Sequence, residues 1–141
     1  MDIRAIQMID YSAIEEELAS AIGTGGYKST CVGRIREEVP TSQLQSLDIN
    51  LGGFTSVHRA GYVDYSITGV AVIERMGWDR TDNANEFKVL VESVCNKLCA
   101  YRFTTFDALR NLNPQLGGRP GQGNGQIIRT ATINFVCLAH E

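Results

Sequence analysis

The chain has 141 residues, 43% of them apolar and 21% charged, and a formal net charge of −3. That length suits one domain, and the balance is that of an ordinary globular protein. An acidic sum argues against a dedicated nucleic-acid binder, which usually carries a basic patch, and no apolar run is long enough for a membrane-spanning helix.

The opening MDIRAIQMID carries no signal-peptide core. Ile3, Ile6 and Ile9 are spaced by three over too short a run to define an element. A first helix is predicted over Tyr11–Ile22. Asp10 or Ser12 can cap it, Glu15, Glu16 and Glu17 suit the positive end of its dipole, and Ile14, Leu18, Ala21 and Ile22 form one apolar stripe. Gly23 stops it, and Thr24-Gly25-Gly26 turns the chain. Ser29–Val39 reads as a first strand, weakened by Gly33 and ended by Pro40. Residues 40–58 are polar and broken by Gly52-Gly53, so they are expected to form a long connection.

The stretch from Arg59 to Met76 is the one the chain is organised around. Val63, Tyr65, Ile67, Gly69, Ala71 and Ile73 alternate with Asp64, Ser66, Thr68, Val70, Val72 and Glu74. Period two in β-branched and aromatic residues specifies a half-buried strand. It is long, since strands commonly run about 5–6 residues. Either Gly69 bends it at a bulge or one end projects beyond the domain.

Gly77-Trp78-Asp79-Arg80 is a turn-like link. A second helix follows from Asn83 or Ala84 to Arg102, capped by Asp82 or Asn83, with Phe87, Leu90, Val91, Val94, Leu98 and Tyr101 on one face. Thr104–Leu112 suggests a further short turn of helix. Asn113–Gly125, rich in glycine and with two prolines, is expected as a mobile loop. Gln126–Ala139 closes the chain as a strand, with Ala131, Ile133, Phe135, Cys137 and Ala139 on one face and Thr130, Thr132, Asn134, Val136 and Leu138 on the other. The whole predicts one α+β domain over residues 1–141. It has a small, mostly antiparallel sheet with long strands, two main amphipathic helices packed on one face, and long loops at about 40–58 and 113–125.

Catalytic and ligand motifs are thin. Cys95 and Cys99 share a helix face, but Cys31, Cys137, His58 and His140 have no spacing that would complete a four-ligand zinc site, so reduced thiols are expected and no metal. Gly121-x-Gly123-x-Gly125 precedes a strand and lacks the Gly-Lys-Ser/Thr ending of a phosphate loop. Neither histidine has an evident nucleophile partner, and Asp64 and Glu74 stand too far apart along one strand for a carboxylate dyad. The expectation is a non-enzyme without cofactor. The stronger signal is apolar surplus. Val70 and Val72, with Val136 and Leu138, face away from the side the helices cover, and such a patch usually marks an interface. Arg59, Arg75, Arg119 and Arg129 stand at strand ends or beside the glycine loop, and arginine is enriched at interfaces. Val70, Val72, Val136, Leu138, Arg59, Arg75 and Arg119 are therefore the candidate subunit or partner contacts, and closed symmetric self-assembly is the expected way to bury them.

The order of elements resembles that of the tail terminator (tail-completion) proteins of long-tailed bacteriophages. The amphipathic helix Tyr11–Ile22 leads through a strand and a polar link to the long strand Gly61–Met76, the helix Asn83–Arg102 and a closing strand, "RTATINFVCLA". The resemblance implies a virion protein at the tail–neck junction, assembled in the host cytoplasm. Its copies would form a ring, usually a hexamer, that caps the tail tube and meets the neck or connector proteins, with DNA passing through the lumen without specific binding. It implies no cofactor, no catalysis and no membrane. A connector or stopper of the neck is the alternative, ahead of a small ligand-binding domain or enzyme. The glycine-rich stretch 113–125 and the residues before Asp10 have no counterpart in that pattern.

Overall fold

The computed structural model describes residues 9–141, so Ile3 and Ile6 lie outside it. Its elements are α1 (Tyr11–Ile22), β1 (Ser29–Val32), β2 (Ser46–Arg59), β3 (Tyr62–Trp78), α2 (Thr81–Ala100), β4 (Ala108–Pro120) and β5 (Gln126–His140). Asp10 caps α1, its side chain accepting from the Ala13 N–H at 3.1 Å. Gly23, at φ 83°, ends that helix and donates its N–H to the Ala19 carbonyl. Only glycine enters that backbone region without strain. α2 starts at Thr81, ahead of the expected residues, and the cap position Arg80 supplies no side-chain bond.

The five strands form one sheet in the order β1-β2-β3-β5-β4. β2–β3, β3–β5 and β4–β5 are antiparallel, while β1–β2 is parallel. The sheet is therefore mixed, where a mostly antiparallel one was expected. The parallel pair arises because β1 is shorter than its sequence suggests. It stops at Val32, Gly33 turns at φ 103°, and residues 33–45 carry the chain back so that β2 starts beside β1 in the same direction. Parallel neighbours need such a crossover.

Two expected loops are strands. Most of 40–58 is β2, paired with β3 from Ser46 to Arg59. Leu47, Ile49 and Leu51 alternate there with Ser46, Asp48 and Asn50, so the period-two signal is present, and Gly52-Gly53 absorbs a bulge instead of ending the strand. The bulge lies opposite Gly69, on the partner of the strand where a bend was expected. Most of 113–125 is β4, and only 121–125 turn. The short helical turn expected in 104–112 does not form, because Ala108–Leu112 already belong to β4. Pro114 and Pro120 fit a strand because β4 is an edge. Gln126 of β5 accepts the N–H bond of Gly121, which turns the odd positions 113–119 of β4 inward and the even ones outward. Both prolines thus put their missing N–H on the open side, where no ladder bond is lost.

α1 and α2 cover one face. Ile14, Leu18 and Ile22 of α1 and Phe87, Val91, Val94 and Leu98 of α2 pack on Leu47 and Ile49 of β2, Ile67 and Ile73 of β3, and Ile133, Phe135 and Cys137 of β5. The helices leave one end of the sheet bare, and residues 52–62, the distal β2–β3 hairpin, are all exposed. Glu17 ties α1 to the α2–β4 link. Its carboxylate accepts from the N–H and hydroxyl of both Thr104 and Thr105 at 2.7–3.0 Å.

Gly69 sits in mid-strand because Phe135 lies across it. A Cβ there would stand 2.3 Å from the Phe135 ring and 3.0 Å from Leu51. Gly69→Ala is expected to cost about 1–3 kcal/mol in a urea melt through overpacking. Gly69→Ala with Phe135→Leu should cost less than the two losses summed. Strict additivity would show that Phe135 is not what the glycine accommodates. Burial pushes the Glu17 carboxyl up, but the bonds from Thr105 and Thr104 outweigh it and hold the pKa below the ordinary value. A depressed folded pKa gives stability that is present above the unfolded pKa and lost as pH falls through the folded one. Glu17→Gln should therefore be less stable near neutrality and flatten the acid limb of a stability–pH curve. An acid limb unchanged by the substitution would refute the role.

Candidate self-assembly surface

The opposite face of the sheet carries the even positions of β3. Cross-strand partners share a face, so the register places Val70 beside Asn134 and Asn50, Val72 beside Thr132 and Asp48, Thr68 beside Val136, and Ser66 beside Leu138. Val70, Val72, Val136 and Leu138 thus lie together, each flanked by short polar groups. All four are half-buried, and neither α1 nor α2 covers them.

The face is less bare than the sequence suggests. Residues 33–45 cross its near end as a belt. Val39 and Leu44 are buried there against Ile128, with Met76 beside them. The belt is pinned by charge. Arg36 donates its backbone N–H to Asp48 Oδ2 at 2.9 Å and two guanidinium bonds to Oδ1 at 3.0 and 2.5 Å, and it also reaches the Ser29 hydroxyl. Asp48 is a buried carboxylate, and its partner answers the desolvation that an unpaired charge would suffer. Asp48 also holds the guanidinium pKa above its ordinary value by hydrogen bonding.

The predicted arginines divide. Arg119 stands at the belt end, 2.6 Å from the Glu74 carboxylate. Arg59 stands at the far end and pairs with Asp64 at 2.8 Å. Arg75 is an odd position of β3 and lies on the helix side, paired with Glu86 of α2 at 3.4 Å, so it is not part of this surface. Arg129, also on that side, donates to the Trp78 and Arg80 carbonyls. The far end also holds a His140–Asp107 pair beside Asp64.

Larger exposed apolar groups sit on the bare hairpin, where Phe54 is 55% and Val57 52% exposed. Sequence reasoning missed these because 40–58 was read as a connection. At the foot of the hairpin Phe54 packs between Tyr11, tilted to it, and Tyr65, edge-on to it, with ring centroids 6.0 and 5.8 Å away.

Metal and thiol chemistry find no assembled centre. Among the described residues no three His, Cys, Asp or Glu side chains gather into a metal-binding group. Cys95 and Cys99 line an apolar groove of about 320 Å³ between α2 and β4, floored by Val91, Leu112, Pro114 and Leu116. Cys137 is in the core, and burial pushes its thiol up to about 12, which leaves no reactive thiolate at neutral pH. His58 is on the hairpin and His140 at the far end of the open face.

No family model and no curated protein matches the chain. Among solved structures it is similar to a chain from the virion of a native gene transfer agent particle, with 13% identity and a TM-score of 0.45, over 88% of this chain and 84% of that one. A likeness of that degree assigns no role.

The Asp107 carboxylate, by hydrogen bond and by charge, raises the His140 pKa above the ordinary histidine value. Any contribution of the pair to stability is then present below the unfolded pKa and lost as pH rises through the folded one. Histidine ring signals followed by NMR should show His140 titrating above the ordinary histidine range, and Asp107→Asn should bring it down. A midpoint unmoved by Asp107→Asn would show that the pair does not form in solution.

Proposed function

We propose that this protein is a structural component of a phage-like virion, and that its copies close into a ring, six in number, which caps the tail tube and joins it to the neck. The observation that carries the reading is the open sheet face. Val70, Val72, Val136 and Leu138 are gathered on one side of the two central strands, outside the belt and away from both helices. The order of elements that carried the resemblance supports it as well. A helix leads through a strand to a long central strand, a second helix and a closing strand.

In this reading the work is interfacial. Face-to-neighbour packing buries the valines and Leu138, and Arg59 and Arg119 at its two ends form the rim. Apolar centres with polar rims are the usual anatomy of such contacts. The partners are further copies of the chain, the tail tube and the neck or connector proteins. The place is the tail–neck junction of the virion, after assembly in the host cytoplasm. DNA passes through the lumen without specific binding, and the protein needs no cofactor and catalyses nothing. A connector or stopper ring would use the same face, so the protein that co-purifies with the ring separates the roles.

Val70→Asp, at a position whose cross-strand neighbours Asn50 and Asn134 are neutral, tests the reading. Sedimentation and negative-stain images of the unaltered protein should show rings. The variant should keep its cooperative melt and lose assembly, because an unpaired carboxylate would be desolvated at the contact. A variant that unfolds, or an unaltered protein that stays monomeric with tube and neck proteins present, overturns the reading.

A further inference from the structure

The sheet ends in two edges of different character, and the difference can be followed N–H by N–H. Val63 and Glu141 exchange both backbone bonds, at 3.4 and 3.0 Å, so the odd positions of β3 face β5 and its even positions face β2. With the register Arg59↔Tyr62, Val57↔Asp64, Thr55↔Ser66 and Gly53↔Thr68, positions 53, 55, 57 and 59 of β2 point inward. Phe54, Ser56 and His58 therefore turn their N–H and C=O groups outward. β1 covers β2 only from Ser46 to Ile49. The next outward N–H, that of Leu51, is taken by Glu15 at 3.0 Å. Beyond it no strand among the described residues pairs with the edge, and residues 52–59 are exposed there.

The β4 edge is defended. Past its bulge the outward positions are 114, 116, 118 and 120, of which the first and last are prolines, so that stretch keeps outward N–H groups on Leu116 and Gly118 alone. Prolines and charges are the usual devices against edge pairing. From Phe54 to His58 the β2 edge has neither. It is a template for an added strand.

We propose that this edge, Phe54–His58, pairs antiparallel with the same edge of a second copy, about a two-fold axis at Ser56. Self-complementarity selects the occupant. In that register Ser56 meets Ser56 and Phe54 meets His58, so every outward N–H faces an outward carbonyl of the other copy. On the alternate pairs Thr55 meets Val57 and Gly53 meets Arg59. No like charges stand opposite one another, and a β-branched pair and an aromatic pair are formed, both of which favour pairing. The β4 edge of another copy, with two of four donors missing, cannot match this. The contact does not rest on the ring reading, since it uses an edge and not the open face. Were both to operate, two rings would meet with dihedral symmetry.

Ser56→Pro removes an outward N–H and no bond of the sheet itself, so the monomer should fold. Both copies lose one bond across the axis, and sedimentation should show dimer affinity weakened about tenfold or more. Ser56→Cys in a Cys99→Ser background should give a covalent dimer on mild oxidation, because facing residues in such a pair lie about 5.5 Å apart, within disulfide reach. Val70→Asp should leave this dimer intact, which separates its failure from that of the ring. An unaltered dimer in Ser56→Pro, no cross-link from Ser56→Cys, or an edge occupied only when another protein is added would each overturn the proposal.

Discussion

Everything in this fold hangs on the pairing of β3 along both sides. It is the 17-residue strand at the centre, with β2 on one flank and β5 on the other. The helices are shorter than the sheet they cover. α1 and α2 bury the stretch around Ile67, Ala71 and Ile73 and stop short of Tyr62. A strand of that length forces a choice on so small a chain. Part of the sheet is roofed by helices, part of its back is crossed by the 33–45 belt, and the remainder must live with solvent or with a neighbour. The open face and the bare hairpin are two results of that one shortage.

The parts of the fold that were legible in the sequence are those where burial imposes a clean period. Ile14, Leu18 and Ile22 of α1, and Phe87, Val91, Val94 and Leu98 of α2, repeat at helical spacing and are buried as that spacing requires. Ile67, Ala71 and Ile73 do the same at strand spacing. β4 was not legible because its side chains decide little and backbone pairing to β5 holds it. β2 carries a strand period in Leu47, Ile49 and Leu51, but the glycine pair that follows hides it. Gly52-Gly53 reads as a break when it is a bulge. Pro114 and Pro120 read as a loop, yet an edge strand tolerates proline wherever the missing N–H would point outward.

The candidate surface was legible in part. Parity along β3 and β5 places Val70, Val72, Val136 and Leu138 together, and the register does so too. Parity also separates Arg75 from them, although position at a strand end seemed to group it with Arg59 and Arg119. The belt was invisible because Arg36 and Asp48 meet only through the crossover, and no local pattern announces a pair twelve residues apart. It narrows the exposed apolar area to the middle of the face.

The Glu15 bond to Leu51 has a mechanical meaning. It lies where β1 ends, at the boundary between roofed sheet and bare hairpin, and it comes from a buried carboxylate on a helix. Fraying that starts at the Ala60-Gly61 tip meets a clamp there before it reaches Ile49 and Leu47. Exposed pairing with few buried side chains is where local opening costs least, so the clamp stands between that stretch and the buried body. The chain thus has a firebreak between the bare hairpin and the body that the helices roof.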